Sequence, residues 1–235
     1  MHELSRRRFL ETSLASGVIA GLPSGAGAAT PAPAGLPDLG AGSVPIGIEE
    51  RQARIANVQR LMRASGVGAL LVEAGSSLVY FTGIGWWRSE RPTAALIPVE
   101  GEIAIVTPFF EAPSIRESLA VPAEVRTWNE DENPLRLVAE WLRQNKLEHR
   151  PVAIEETVRN FIVDGLQRAL PGVKTVSGAP VVRGCRMHKS LAEIQLMQIA
   201  SDITVAAFRH AAPRIERGMS PQDIGRIIQS ATTAL

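Results

Sequence analysis

Between Ile55 and Val176, short apolar runs closed by glycine or proline alternate with stretches of helical period, and this alternation constrains the fold more tightly than anything else in the sequence. Strands separated by helices can cover both faces of one sheet, so the pattern predicts an α/β domain. Residues 49–65 read as a helix with Ile55, Val58, Leu61 and Met62 on one face and Gly66 as its stop. Residues 67–72 are a buried strand, and 77–82 a short helical turn before Gly83 and Gly85. Residues 93–98 and 102–107 pair as a hairpin across Glu100 and Gly101, which makes the sheet mixed. A helix over 111–119 and a strand over 124–128 follow. Asn133 caps a helix over 134–146 with Leu135, Val138, Ala139 and Leu142 inward. Residues 152–154 are a strand. Val158, Phe161, Ile162 and Leu166 line a helix that stops at Pro171-Gly172, and 173–176 form the last strand.

The pattern changes after Gly178. Ser190 and Glu193 have the spacing of a capping box and open a long helix. Ile194, Met197, Ile203, Ala207 and Phe208 form one stripe along it, toward Gly218. Ser220-Pro221-Gln222-Asp223 starts a second helix with Ile224, Ile227 and Ile228 inward. Two successive helices without a strand between them signal a new domain whose apolar faces expect a sheet to cover. No internal repeat is present.

The amino terminus speaks to compartment. Ser5-Arg6-Arg7-Arg8-Phe9-Leu10 is a twin-arginine pattern, followed by a short apolar run and the small-residue site Ala26-Gly27-Ala28. The run is too short for a membrane span, which needs ~20 apolar residues. The expected organisation is therefore a twin-arginine signal over 1–28, a Pro/Ala/Gly-rich flexible leader over 29–48, the α/β domain over 49–180 and a new domain from 181. The expected location is periplasmic or secreted, with no stable membrane anchor. A hydrophobic share of 45% with net charge +1 suits a globular core and shows no drive toward nucleic acid. Cys185 is the single cysteine, so no intrachain disulfide and no cysteine-rich zinc site can form. The thiol reads as buried and inert.

Ser76-Ser77-Leu78-Val79-Tyr80-Phe81-Thr82-Gly83, the hairpin, the segment 128–134 and Arg186-Met187-His188-Lys189-Ser190 occur in an order and spacing that resemble the creatinase, aminopeptidase P and prolidase family of pita-bread metallohydrolases. The resemblance implies a ribonuclease-H-like N-terminal domain, then the first helices of a pita-bread α+β domain. It implies an Xaa-Pro metallopeptidase acting on proline-containing peptides as a homodimer, with two divalent ions (Mn, Co or Zn) in the complete enzyme. In that family the metal ligands, two Asp, one His and two Glu, come later in the chain. The 235 residues are therefore expected to bind no metal, to hold no catalytic residue and to be inactive alone. Two other functions stay open: a non-catalytic dimerisation or substrate-recognition module, and a fragment of a creatinase-like amidinohydrolase.

Within the chain, Trp86, Trp87 and Arg88 lie between glycines and the hairpin, on an expected loop. Two adjacent tryptophans do not both enter one core easily. One reading is a buried Trp, a surface Trp and a solvated Arg. The other, implied by the family, is a loop facing substrate or a partner subunit, where Arg pairs with a carboxylate. The run Asn129-Glu130-Asp131-Glu132 reads as a solvated loop at a helix start rather than a cation site. Glu155 and Glu156, adjacent on extended chain, point apart and read as helix-capping groups. His188 and His210 lack the i, i+4 pairing of a helical zinc motif, and Gly83-Ile84-Gly85 does not open a helix as a nucleotide loop does.

Overall fold

The computed structural model describes residues 35–235. Arg6, Arg7 and the rest of the signal pattern lie outside the described residues. The chain divides into two compact units, Val44–Leu196 and Met197–Leu235, the latter joined by the described residues up to Ser43.

The unit Val44–Leu196 is built on a six-stranded mixed sheet of order β4-β3-β2-β1-β5-β6. Its strands are β1 (Ala69–Glu73), β2 (Ala94–Pro98), β3 (Ile103–Pro108), β4 (Ala123–Trp128), β5 (Val152–Ile154) and β6 (Thr175–Ser177). Every residue of β1, β2 and β3 is buried. This explains why those strands read as unbroken apolar runs: a strand covered on both faces has no polar side. β2 and β3 form the expected antiparallel hairpin, Ala95 opposite Ile105. Gly101 makes its turn at φ +96°, a conformation that disfavours any residue with a Cβ. β1 pairs antiparallel with β2 and parallel with β5, and β3–β4 and β5–β6 are parallel.

Around the sheet lie α1 (Ile48–Ala64), α2 (Ser76–Thr82), α3 (Ala112–Ser118), α4 (Pro134–Gln144), α5 (Asn160–Ala169) and α6 (Ala179–Arg186). The side chain of Asn133 accepts the Leu135 N–H at 2.9 Å, the expected cap of α4. Leu135, Val138, Ala139 and Leu142 are buried as the period requires, with Trp141 beside them. α4 stops two residues short of Lys146, which takes φ +58° and cannot continue a right-handed helix. α6 departs from the expected pattern. It is eight residues long, carries Pro180 in its first turn and Gly184 near its end, and so has weak intrinsic propensity. Tertiary packing makes it: Val181, Val182 and Cys185 are buried, and α6 lies against α1.

α7 (Leu191–Ala211) opens with the expected capping box. The Ser190 N–H donates to Glu193 Oε2 at 2.8 Å, and the Glu193 N–H to Ser190 Oγ at 3.1 Å. α8 (Pro221–Ala234) repeats the device with Ser220 and Asp223. In the second unit Ala207, Ala231 and Leu235 form a small core with Leu36, Leu39, Ile203 and Ala206 packed on it. Leu39 N–H donates to Leu235 O at 2.6 Å, so this part of the segment read as a flexible leader is tied down. Ile194, Met197 and Phe208 from the expected α7 stripe remain more than half exposed. They help raise the mean hydropathy of an 18-residue window within Leu191–Arg214 to 1.2, the level of a marginal membrane-crossing helix, although charged residues interrupt it.

Candidate functional site

The loop carrying Trp86, Trp87 and Arg88 leaves α2 through Gly83, whose φ of +85° makes a left-handed stop. A Cβ there would meet Ala120 Cβ at 2.6 Å, so only glycine lets the chain turn at this spot. The structure gives the three residues different tasks. Trp86 packs against the core and donates Nε1–H to Glu111 Oε2 at 3.1 Å. Trp87 is 92% exposed. Arg88 is anchored: Nε donates to Ala74 O at 2.8 Å and Nη2 to Thr157 Oγ1.

A buried ion pair supports the same loop. The Glu73 side chain at the end of β1 is fully buried and accepts from Arg159 Nε at 2.7 Å and from the Arg159 N–H at 3.0 Å. Arg159 then donates Nη1–H to Ser89 O at 2.5 Å. The base of the loop is held by charge-assisted bonds while its tip carries an unpacked indole.

Glu155 and Glu156 take different partners. Glu155 is 4% exposed and accepts from Ser77 Oγ at 2.9 Å, the Thr157 N–H at 2.8 Å and Thr157 Oγ1 at 2.6 Å. Because α5 starts only at Asn160, Glu155 closes the turn before the helix and does not cap it, which corrects the expected capping role. Glu156 is held below the usual carboxylate range by hydrogen bonding from Arg183. Glu132 accepts from the Asn129 N–H at 2.7 Å and Glu130 pairs with Arg91, so two of the three carboxylates in the acidic run are already partnered. Among the described residues no three His, Cys, Asp or Glu side chains are grouped to hold a metal ion, His188 and His210 included. The described residues therefore do not fit the paired divalent ions that the resemblance implies.

Beside α2 and α6 opens a cleft of about 480 Å³ that residue patterning did not single out. Tyr80, Val182 and Met187 give it apolar walls, and Arg186, Lys189, Glu155 and Glu193 bring charges of both signs. Its traces in the sequence are the Ser76–Gly83 stretch, which holds Tyr80, and the Arg186-x-x-Lys189-Ser190 pattern. Behind the wall the Arg54 guanidinium lies 4.1 Å from the Tyr80 ring centre and pairs with Glu50 at 2.6 Å and Glu193 at 3.1 Å. The Tyr80 hydroxyl donates to Cys185 O at 3.1 Å.

Burial pushes the Tyr80 phenol up to about 12 and the Cys185 thiol up to about 11. Both groups are protonated at neutral pH, and a thiol so placed is a poor nucleophile. Each folded-state value lies above the ordinary one. The stability these groups contribute is therefore complete below pH 9 and is lost as pH rises through 9–11 for Cys185 and 10–12 for Tyr80. Thermal melts should fall across that window, and Cys185→Ala should flatten the lower part of the fall. An identical pH profile for the variant would refute the assignment.

The strand order, the hairpin and the capped helix that follows define a mixed-sheet α/β domain running into a helical segment. Solved proteins share this fold. A prolidase from Thermococcus sibiricus superposes with a TM-score of 0.70 at 21% identity, over 80% of this chain and 50% of that one. Dipeptidase PepE from Mycobacterium ulcerans gives 0.66 at 25% identity, over 81% and 51%. Residues 54–188 match the creatinase/prolidase N-terminal domain, and the chain belongs to that family. An uncharacterised peptidase of Schizosaccharomyces pombe is 34% identical over 194 residues, covering 77% of this chain and 42% of the relative. A probable dipeptidase PepE of Mycobacterium tuberculosis is 25% identical over 183 residues, covering 77% and 48%. The chain thus spans about half the length of the curated relatives it matches.

Proposed function

We propose that residues 44–196 serve as the N-terminal domain of an exported metallopeptidase that cleaves bonds next to proline, and that the metal-assisted chemistry belongs to residues outside this chain. The observation that carries the reading is the domain match over 54–188 together with 34% identity to a protein described as a peptidase. In such an enzyme the side chains that would hold two divalent ions, Mn, Co or Zn, lie outside the described residues, and the ions would there supply Lewis-acid activation of water. This domain contributes surface. Trp87 is the group it offers to substrate or to the partner of a homodimer, since a fully exposed indole on an anchored loop is a ready contact. Arg88 and the Glu73–Arg159 pair hold that loop in place. The twin-arginine pattern supports export of the folded protein.

Expressed from its own start in a bacterial host, the chain should be recovered outside the cytoplasm beginning at Ala29. Purified, it should neither hydrolyse Xaa-Pro dipeptides nor retain manganese, cobalt or zinc stoichiometrically after dialysis. Chelator-sensitive turnover would overturn the division of labour, and retention in the cytoplasm with Met1 intact would overturn export.

A further inference from the structure

The cleft beside α2 and α6 holds charges that its own residues leave unmatched. Arg186 Nη1 donates to Ser77 Oγ at 2.9 Å and Nη2 to Ser76 Oγ at 3.2 Å. Among the described residues no carboxylate lies within ion-pair distance of this guanidinium. Its plane is set by two hydroxyls, and a guanidinium has five donors, so the fork is oriented and only partly used. Lys189 Nζ reaches only backbone carbonyls, those of Arg186 and Met187. Two cations on this wall therefore have neutral partners.

The opposite sign is also left over. Glu193 and Glu50 share one cation, Arg54. Buried Glu155 is held by Thr157 and by the Ser77 hydroxyl, which also accepts from Arg186 and so bridges these two charges. Glu156 and Arg183 cancel each other. Lys189 and the unused donors of Arg186 on one side, and the surplus of Glu50 and Glu193 over Arg54 on the other, thus coexist around a cleft of about 480 Å³ whose remaining walls are the Tyr80 ring, Val182 and the exposed Met187. A dianion would meet the carboxylates, and a cation would meet Arg186 and Lys189. A small zwitterion with an apolar body satisfies both ends and fills the apolar walls.

We infer that this cleft binds a free amino acid or short peptide, its carboxylate on Arg186 and Lys189 and its ammonium toward Glu193. The inference rests on the charges lining the cleft and stands whether or not the domain serves a peptidase. A carboxylate on an oriented guanidinium can bond bidentately, which distinguishes this end from the ammonium end.

The test is titration calorimetry of the 235-residue protein with L-leucine, alongside leucinamide, which keeps only the ammonium, and N-acetylleucine, which keeps only the carboxylate. Leucine should bind, and each capped derivative should bind at least about tenfold more weakly, a difference of about 1.4 kcal/mol. Arg186→Gln should weaken leucine by a similar factor. Because Arg186 also holds Ser76 and Ser77, Lys189→Gln, on an exposed side chain, is the second variant and should weaken leucine without shifting the melting temperature. Heat of binding that is absent for leucine, equal for all three ligands, or unchanged in both variants would overturn the assignment.

Discussion

Glu73→Ala should destabilise the Val44–Leu196 unit by about 3–5 kcal/mol, because removing one partner of a buried ion pair leaves the other without compensation. Glu73 is wholly buried, and both its oxygens accept from Arg159. The Arg159 guanidinium is partly exposed, so water recovers some of the loss and the lower end of that range is expected. The effect should also be local. Arg159 holds Ser89 O, so the loop bearing Trp87 loses one of its anchors and limited proteolysis should cut between Gly85 and Arg91 before the rest of the fold opens. Glu73→Gln keeps one acceptor and should cost less than Glu73→Ala. Denaturant unfolding of both variants decides the matter. A cost below about 1 kcal/mol for the alanine variant would show that the pair is solvated in the working protein.

Arg54→Met should cost a comparable amount, about 3–5 kcal/mol, by a different route. Arg54 is 8% exposed and is the one cation between Glu50 and Glu193; it also donates to Tyr80 O at 3.0 Å. Methionine retains much of the packing on the Tyr80 ring and leaves two carboxylates facing each other. Without the guanidinium between them the two carboxylates repel each other. Arg54→Met combined with Glu193→Gln should recover a large part of the loss at pH 7. A deficit unchanged in the double variant would assign the cost to lost packing instead.

How far these pairs were legible from residue order depends on their range. β5 was placed at residues 152–154 and the α4 cap at Asn133 because both signals are local: an apolar run between breakers, and an Asn before Pro. The capping boxes at Ser190 and Ser220 are local in the same way. Arg54 read only as a polar position on an amphipathic helix, since Glu193 lies far away in sequence and closes on it through the docking of α6 against α1. That docking rests on a helix whose proline and glycine hide it from any propensity argument. The cleft followed α6 into invisibility, because two of its walls are Val182 and Arg186. The Trp86–Arg88 loop was recognisable as a loop, and its uneven exposure was decided by Glu111, Ala74 and Thr157, none of them adjacent to it.

The two strands at the ends of the sheet limit how this domain can meet another protein. An open edge offers unpaired backbone donors and acceptors to any passing extended chain, and folded proteins blunt such edges by shortness or charge. Here β6 is three residues long, and β4 sets Glu124 and Arg126, an ion pair at 3.0 Å, among its exposed and half-buried positions. Neither border invites a seventh strand. Continuation of the sheet across a second copy, and the aggregation that goes with it, is disfavoured by construction. Contacts with other proteins are left to side-chain surfaces rather than to backbone pairing.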